Sequence, residues 1–294
     1  MTPADPPPAS QTPQLAAPLT GRIALVTGVT RHAGIGSAIT KRLLHDGARV
    51  FATGWHPHDA GMPWGDHDND PDEPNPNEPN PNEPSTNRTH RIELDRAPAN
   101  DDRYHWQAGD LRDPTVPAAL VDAAIQRFGA IDIIVANHAR SARTGGLATV
   151  TAEELDACWA VNARASVLLA QAFLRGDRTG RPDGRIVLFT SGQHLGPMPD
   201  EIAYTVSKGA IQQMTLTLAD ALADHRTTVN CVNPGPTDTG WATPELASWV
   251  ADHMPFGRWG HPDDAARVVA WLVSDEAAWM TGQVLNAEGG FRRG

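Results

Sequence analysis

"RIALVTGVTRHAGIGSAI", residues Arg22 to Ile39, decides the architecture of this 294-residue chain. An apolar strand-like run, Ile23 to Thr27, is followed at once by Gly28, Gly34 and Gly36, and then by residues with a helical period. Glycine permits a tight turn and a close backbone approach, while the helix behind it offers free N–H groups and the positive end of its dipole. A strand, a glycine-rich turn and a helix in this order make the phosphate-binding end of a βαβ unit. Ile35, between the last two glycines, is taken with them as part of this binding turn.

The same alternation continues outward. "RVFAT", "YHWQA", "IDIIVA", "RIVLFT", "TVNCV" and "QVLNA" read as strands. Between and around them Ser37 to His45, Pro117 to Phe128, Ala152 to Leu174, Ala203 to Ala223 and Asp263 to Val273 read as helices. Short apolar strands separated by longer amphipathic helices imply a parallel sheet buried on both faces. Right-handed crossovers then leave a single α/β domain with a Rossmann-type doubly wound sheet, whose ligands bind beyond the carboxyl ends of the strands.

Two segments break the rhythm. More than half of the 25 prolines fall within the first 84 residues. The leader 1–20 has no lysine or arginine and no long apolar run, so it reads as a disordered tail and as neither a secretory nor a transit signal. The domain is therefore set at 21–294. Within it, 57–90 is a proline- and asparagine-rich insertion loop, because the near-repeat "EPNPNEPNPNEP" lacks the donors a helix or ladder needs. "THRIELDRA" after it reads as a remnant of a crossover helix.

No apolar window approaches the roughly 18 residues of a membrane span, and the two cysteines, Cys158 and Cys231, form no pattern, which places the chain in a soluble, reducing, cytoplasmic setting. A net charge of −11 repels phosphate backbones and anionic membranes, so neither nucleic acid nor membrane is an expected partner. "WHPHDAGMPWGDHDND" gathers His56, His58 and His67 with aspartates, but their spacing is irregular for a metal, and a polar surface loop is the reading taken.

The remaining motifs lie at strand ends. "AGDLRD" puts Asp110 and Leu111 where an adenine ring would lie, and "VANHA" puts Asn137 beside a ribose path. "VLFTSGQHLGPMPDEIAYTVSKGA" places Ser191 at a strand end and Tyr204, one of only two tyrosines, at the start of the next helix. Tyr204 and Lys208, four residues apart, share one helix face.

These motifs together resemble the short-chain dehydrogenase/reductase family, in the subgroup of NAD(P)-dependent ketoreductases that includes the 3-oxoacyl-carrier-protein reductases. The resemblance spans about Gly21 to Arg293 apart from the insertion, and includes "NPGPTDTG" and the C-terminal block from "PFGRWG" onward. It implies that Tyr204 is the general acid in carbonyl reduction and the base in alcohol oxidation, and that Ser191 hydrogen-bonds the substrate oxygen. Lys208 would hold the nicotinamide ribose and depress the tyrosine's pKa, and Asn162 would position a water linking Lys208 to solvent. Pro234, Gly235, Thr237 and Thr239 would orient the nicotinamide. Relatives commonly form tetramers or dimers, so a homo-oligomer is expected.

Departures from the family pattern bear on the cofactor. "VTRHA" is two residues longer than the usual turn, and "FATGWHPH" offers Gly54 and Trp55 where NAD-preferring members carry an acid. An absent carboxylate and a nearby Arg31 as counter-charge to a 2′-phosphate favour NADP(H) over NAD(H). Arg140, Arg143 and Arg164 would form a local basic patch for an acidic acyl carrier. The substrate would be a small carbonyl compound or alcohol, walled by Gln193, His194, Met198 and Trp241. The alternatives are an alcohol or sugar dehydrogenase working oxidatively and, in another class, a nucleotide sensor without turnover.

Overall fold

A computed structural model describes residues 17–59, 102–141, 145–240 and 242–292. Seven strands form one sheet: β1 (Ile23–Thr27), β2 (Arg49–Gly54), β3 (Tyr104–Ala108), β4 (Ile133–Ala136), β5 (Gly184–Phe189), β6 (Thr227–Asn233) and β7 (Val284–Asn286). Their order is β3-β2-β1-β4-β5-β6-β7, and every neighbouring pair is parallel. The doubly wound arrangement read from the alternation is thus the observed one.

Period-two alternation explains how this sheet builds two cores. Ile23, Leu25, Ile134, Ile186 and Leu188 face one cluster with Phe128, Leu169 and Phe173. Their neighbours Ala24, Val26, Ile133, Val135 and Val187 face the other, with Ile39, Leu43 and Val269. Burying each such aliphatic side chain stabilises the fold by about 1.5–3 kcal/mol, so neither face can be turned to water.

The helices are α1 (Ile35–His45), α2 (His56–Asp59), α3 (Val116–Phe128), α4 (Ala152–Cys158), α5 (Ala165–Arg175), α6 (Ile202–Ala223), α7 (Pro244–His253) and α8 (Pro262–Val273). The segment read as one helix from Ala152 is interrupted by a π turn, Trp159–Arg164, which separates α4 from α5. Helix α7 was not anticipated: it fits between β6 and α8 without a strand to announce it. Thr243 caps its start by accepting a hydrogen bond from the Leu246 N–H, and Val250 packs with Met254 and Trp259.

Three expectations change. The tail ends before Leu19, which is 1% exposed and packed into the α1 side of the core, its N–H bonded to the Asp46 carbonyl at 2.8 Å. The insertion begins later than residue 57, because Pro57, His58 and Asp59 belong to α2 and to the wall of a cavity. The run Ala152–Arg175 is long and apolar enough to cross a membrane by length and composition. It packs instead against α3 and α6, as a core helix does. The leader to residue 16, the tract 60–101 with "THRIELDRA" and His67, Arg143 and Trp241 lie outside the described residues.

Candidate active site

The glycine turn is tied down from β4. Asn137 Nδ2 donates to the carbonyls of Thr27 and Gly28, both at 3.2 Å. A Cβ on Gly36 would meet the Gly28 oxygen at 2.3 Å, so the turn closes only with glycine there. Gly34 caps α1 without a side chain, which leaves the first amides of that helix facing the strand ends. Asn137 therefore supports the turn rather than lining the cavity beside it.

That cavity, about 290 Å3, opens beyond β1–β4. Gly28, Gly54, Gly109 and Leu111 line it, with Trp55, His58, Asp59, Asp110, Arg112 and Arg140 adding polar and charged groups. Narrow glycine walls, an apolar patch and a few convergent polar groups fit the adenosine end of a dinucleotide. Arg112 forks onto Asp110, at 2.7 Å from Nη2 and 3.0 Å from Nε; burial opposes ionisation of this carboxyl, but the Arg112 bonds hold it below its usual range.

Arg31 does not stand at the end of β2. Its Nη2 donates to the Thr239 carbonyl in the loop after β6. The carboxylate missing at Gly54 and Trp55 is partly restored by Asp59, which accepts the Thr30 hydroxyl and lines the cavity. Of the arginines read as a patch, Arg140 pairs with Glu154 at 2.8 Å and Arg164 donates to the Arg112 carbonyl.

At the other end of the crevice, Ser191, two residues beyond β5, lies close enough to the Tyr204 phenol on α6 to lower its pKa. Lys208 Nζ lies 5.6 Å from the centre of the Tyr204 ring and donates to the Phe189 carbonyl at 2.8 Å. Lys208 is 2% exposed, and burial lowers its pKa to about 8. The Tyr204 pKa is raised, first by burial and then by the Glu201 carboxyl, with the Ser191 bond partly offsetting both. Desolvation therefore outweighs the Ser191 contact at this phenol.

Asn162 sits in the π turn, fully buried. Its Oδ1 accepts from the Arg140 N–H at 2.7 Å, while its Nδ2 donates to the Arg140 carbonyl at 3.1 Å and to Ser207 Oγ at 2.8 Å. Ser207 in turn donates to the Tyr204 carbonyl at 2.7 Å. The Asn162 side chain thus ties the β4 loop to α6.

After β6, Asn233 Oδ1 accepts from the Gly235 N–H at 3.1 Å, and Gly235 adopts φ +63° against Glu288. Thr237 is 7% exposed, with its hydroxyl directed at Gly235. Gln193 Nε2 donates to Thr190 Oγ1 at 3.0 Å and to Gln212 Oε1 at 3.1 Å. His194 is exposed and Met198 half-buried near Ser191.

Sequence reasoning missed several of these residues. Ser207, Asn233 and Asp59 are positioning or lining groups whose only signal was adjacency to a motif. His138 was noted solely as a departure; it is buried between Thr27 Oγ1 at 2.7 Å and the Val161 carbonyl at 3.0 Å, and burial, reinforced by the Lys208 charge, lowers its pKa to about 3, keeping it neutral. Among the described residues, no group of three or more metal-ligating side chains is clustered.

Residues 87–292 match the family model described as enoyl-(acyl carrier protein) reductase. An uncharacterised oxidoreductase, YjdA of Bacillus subtilis, is 36% identical over 93% of this chain and 98% of its own. The chain belongs to the short-chain dehydrogenase/reductase family. As a member it is an oxidoreductase acting on CH–OH or C=O groups. Among solved structures, the angucycline C-6 ketoreductase LanV with bound NADP is 32% identical, covers 93% of this chain and 96% of its own, and superposes with a TM-score of 0.71. A short-chain dehydrogenase from Burkholderia cenocepacia J2315 in complex with NADP is 31% identical over 93% and 98%, with a TM-score of 0.72.

Proposed function

We propose that this short-chain dehydrogenase/reductase is an NADP(H)-dependent ketoreductase acting on a small carbonyl substrate. The observation that carries this reading is the convergence of Ser191, Tyr204 and Lys208 at the ends of β5 and α6. When bound, the reduced dinucleotide supplies a hydride to the carbonyl carbon. Ser191 hydrogen-bonds the carbonyl oxygen, and the Tyr204 phenol gives that oxygen its proton. Lys208 holds the ribose hydroxyls and favours the phenolate left behind, which regains a proton from solvent through the polar groups around it.

Ketoreductases among the similar structures support the reductive direction. A phenol is protonated at neutral pH, which is the form a proton donor needs. The NADP bound in LanV and in the Burkholderia protein supports the phosphorylated cofactor. Arg112 and Arg140 line the cavity and, though paired with Asp110 and Glu154, are guanidinium groups within it for a 2′-phosphate, beside the Arg31 first proposed. Met198 and His194 remain the proposed substrate wall. The Tyr204→Phe variant tests the assignment: ketone reduction followed by NADPH absorbance should fall by about a thousandfold or more, while NADPH affinity stays within about twofold. Unchanged turnover would refute it.

A homo-oligomer is part of the proposal. Trp159 and Val167 on the π turn and α5, and Val206 and Leu216 on α6, present exposed apolar surface of the kind that pairs between copies. Light scattering should return a dimer or tetramer.

A further inference from the structure

Two guanidinium groups are buried at the end of the sheet opposite Ser191 and the glycine turn. Arg22 directly precedes β1 and Arg185 is the second residue of β5, so both stand at the amino-terminal ends of strands. Their side chains are 7% and 2% exposed. Buried cations are ordinarily matched by hydrogen-bonded anions, and these two are not. Arg22 Nη2 donates to the Asp183 and Val273 carbonyls at 3.1 and 3.4 Å, and Arg185 Nη1 to the adjacent Gly184 carbonyl at 3.0 Å. The Nε of each is buried without a hydrogen-bond partner among the described residues.

One carboxylate serves both cations. Asp275 Oδ1, in the turn after α8, stands 3.8 Å from Arg22 Nη1 and 3.5 Å from Arg185 Nη2. These are charge contacts longer than good hydrogen bonds, and Asp275 is 85% exposed, so water screens its charge. Two other acids at this end are committed elsewhere. Asp183 pairs with Arg226 at 2.6 Å, while Asp132 pairs with Arg181 and accepts from the Ile23 N–H at 2.9 Å. Burial, and after it the Arg22 charge, lowers the pKa of Arg185.

The Asp275 oxygen marks the point where both guanidinium groups can be met from solvent. A tetrahedral oxyanion placed there carries more charge than one carboxylate and accepts from both forks at once, a geometry that guanidinium matches well. We infer that Arg22 and Arg185 form an anion site at the foot of the sheet, which takes a small tetrahedral oxyanion of the phosphate or sulfate class in exchange for the Asp275 carboxylate. The site lies outside the dinucleotide crevice and does not depend on the ketoreductase reading. It exists only in the folded chain, so its occupancy stabilises the fold by mass action.

Thermal melts test it, with phosphate and with sulfate, each against sodium chloride at equal ionic strength, in the presence and absence of saturating NADPH. The unmodified chain should show a saturable rise in Tm beyond that in chloride, retained with NADPH bound. Asp275→Asn, at an exposed position, removes the competing carboxylate and should lower the half-saturating phosphate concentration about tenfold, the equivalent of one charge-assisted hydrogen bond. Arg185→Met, an apolar replacement for a buried cation, should abolish the saturable rise. A rise that chloride matches is screening alone and overturns the site. One that NADPH abolishes puts the anion in the dinucleotide crevice and overturns it too, as does a saturable rise that both variants leave intact. If Arg185→Met does not fold, Asp275→Asn decides: half-saturation that is unchanged or higher overturns the proposal.

Discussion

Asn162 and Ser207 are joined by a 2.8 Å hydrogen bond from Nδ2 to Oγ, which fastens the π turn to the one turn of α6 that carries both Tyr204 and Lys208. The bond belongs to a chain that runs from the Arg140 backbone through Asn162 and Ser207 to the Tyr204 carbonyl. Its members act on the reaction through the placement of the phenol.

Asn162→Ala should therefore lower stability by about 2–4 kcal/mol, because it orphans the Arg140 N–H and two further partners in a buried site. Turnover should fall about tenfold or more. Ser207→Ala should be milder, near 1 kcal/mol, and the double variant less damaging than the sum, since the two share one bond. Urea melts and steady-state kinetics on the three variants check this.

Lys208 gives a pH-dependent signature. Its pKa falls from 10.5 unfolded to about 8 folded, so between those values the unfolded chain binds more protons and stability rises with pH. Lys208→Met should flatten that rise. At pH 7 it should also stabilise the fold by about 1–2 kcal/mol, after allowing for the donor lost to Phe189, while abolishing turnover. Denaturant midpoints at pH 7 and above pH 10 would show the sign.

Asp59 lines the cavity with a carboxylate, which disfavours a 2′-phosphate there. Asp59→Asn should improve KM for NADPH relative to NADH by about fivefold, the equivalent of about 1 kcal/mol, with kcat unchanged. An unaltered ratio would place the 2′-phosphate away from α2.

Gly235 and Gly129 form a matched pair. Both have positive φ, but a Cβ on Gly235 would lie 2.3 Å from Glu288 Cβ, whereas one on Gly129 meets nothing within 4 Å. Gly235→Ala should cost about 2 kcal/mol or more and raise the cofactor KM, while Gly129→Ala costs about 1 kcal/mol and leaves kinetics alone. Thermal melts and NADPH titrations separate the two.

Much of this molecule was legible in one dimension because its signals are local. Strand periodicity, the glycines before α1 and the four-residue step from Tyr204 to Lys208 are set by neighbours along the chain, and parallel pairing followed from the alternation of strands and helices. The same local reading put Arg31 near the adenosine ribose, sent Gln193 to the substrate and lowered the Tyr204 pKa. To each of these the fold adds something the local reading lacked: Thr239 for Arg31, Gln212 for Gln193, and burial for Tyr204.

The sequence by itself determined the doubly wound sheet, the glycine turn and the residues that face one another on α6, since backbone propensity and hydrophobic period need only short stretches of chain. Only the tertiary structure decided where side chains point and how they ionise: Arg31 on the far loop, Asp59 at the cavity, Asn162 as a clamp, His138 neutral and Lys208 near pKa 8. Hydrogen-bond partners and desolvation are properties of groups brought together by folding, and no segment of the chain carries them alone.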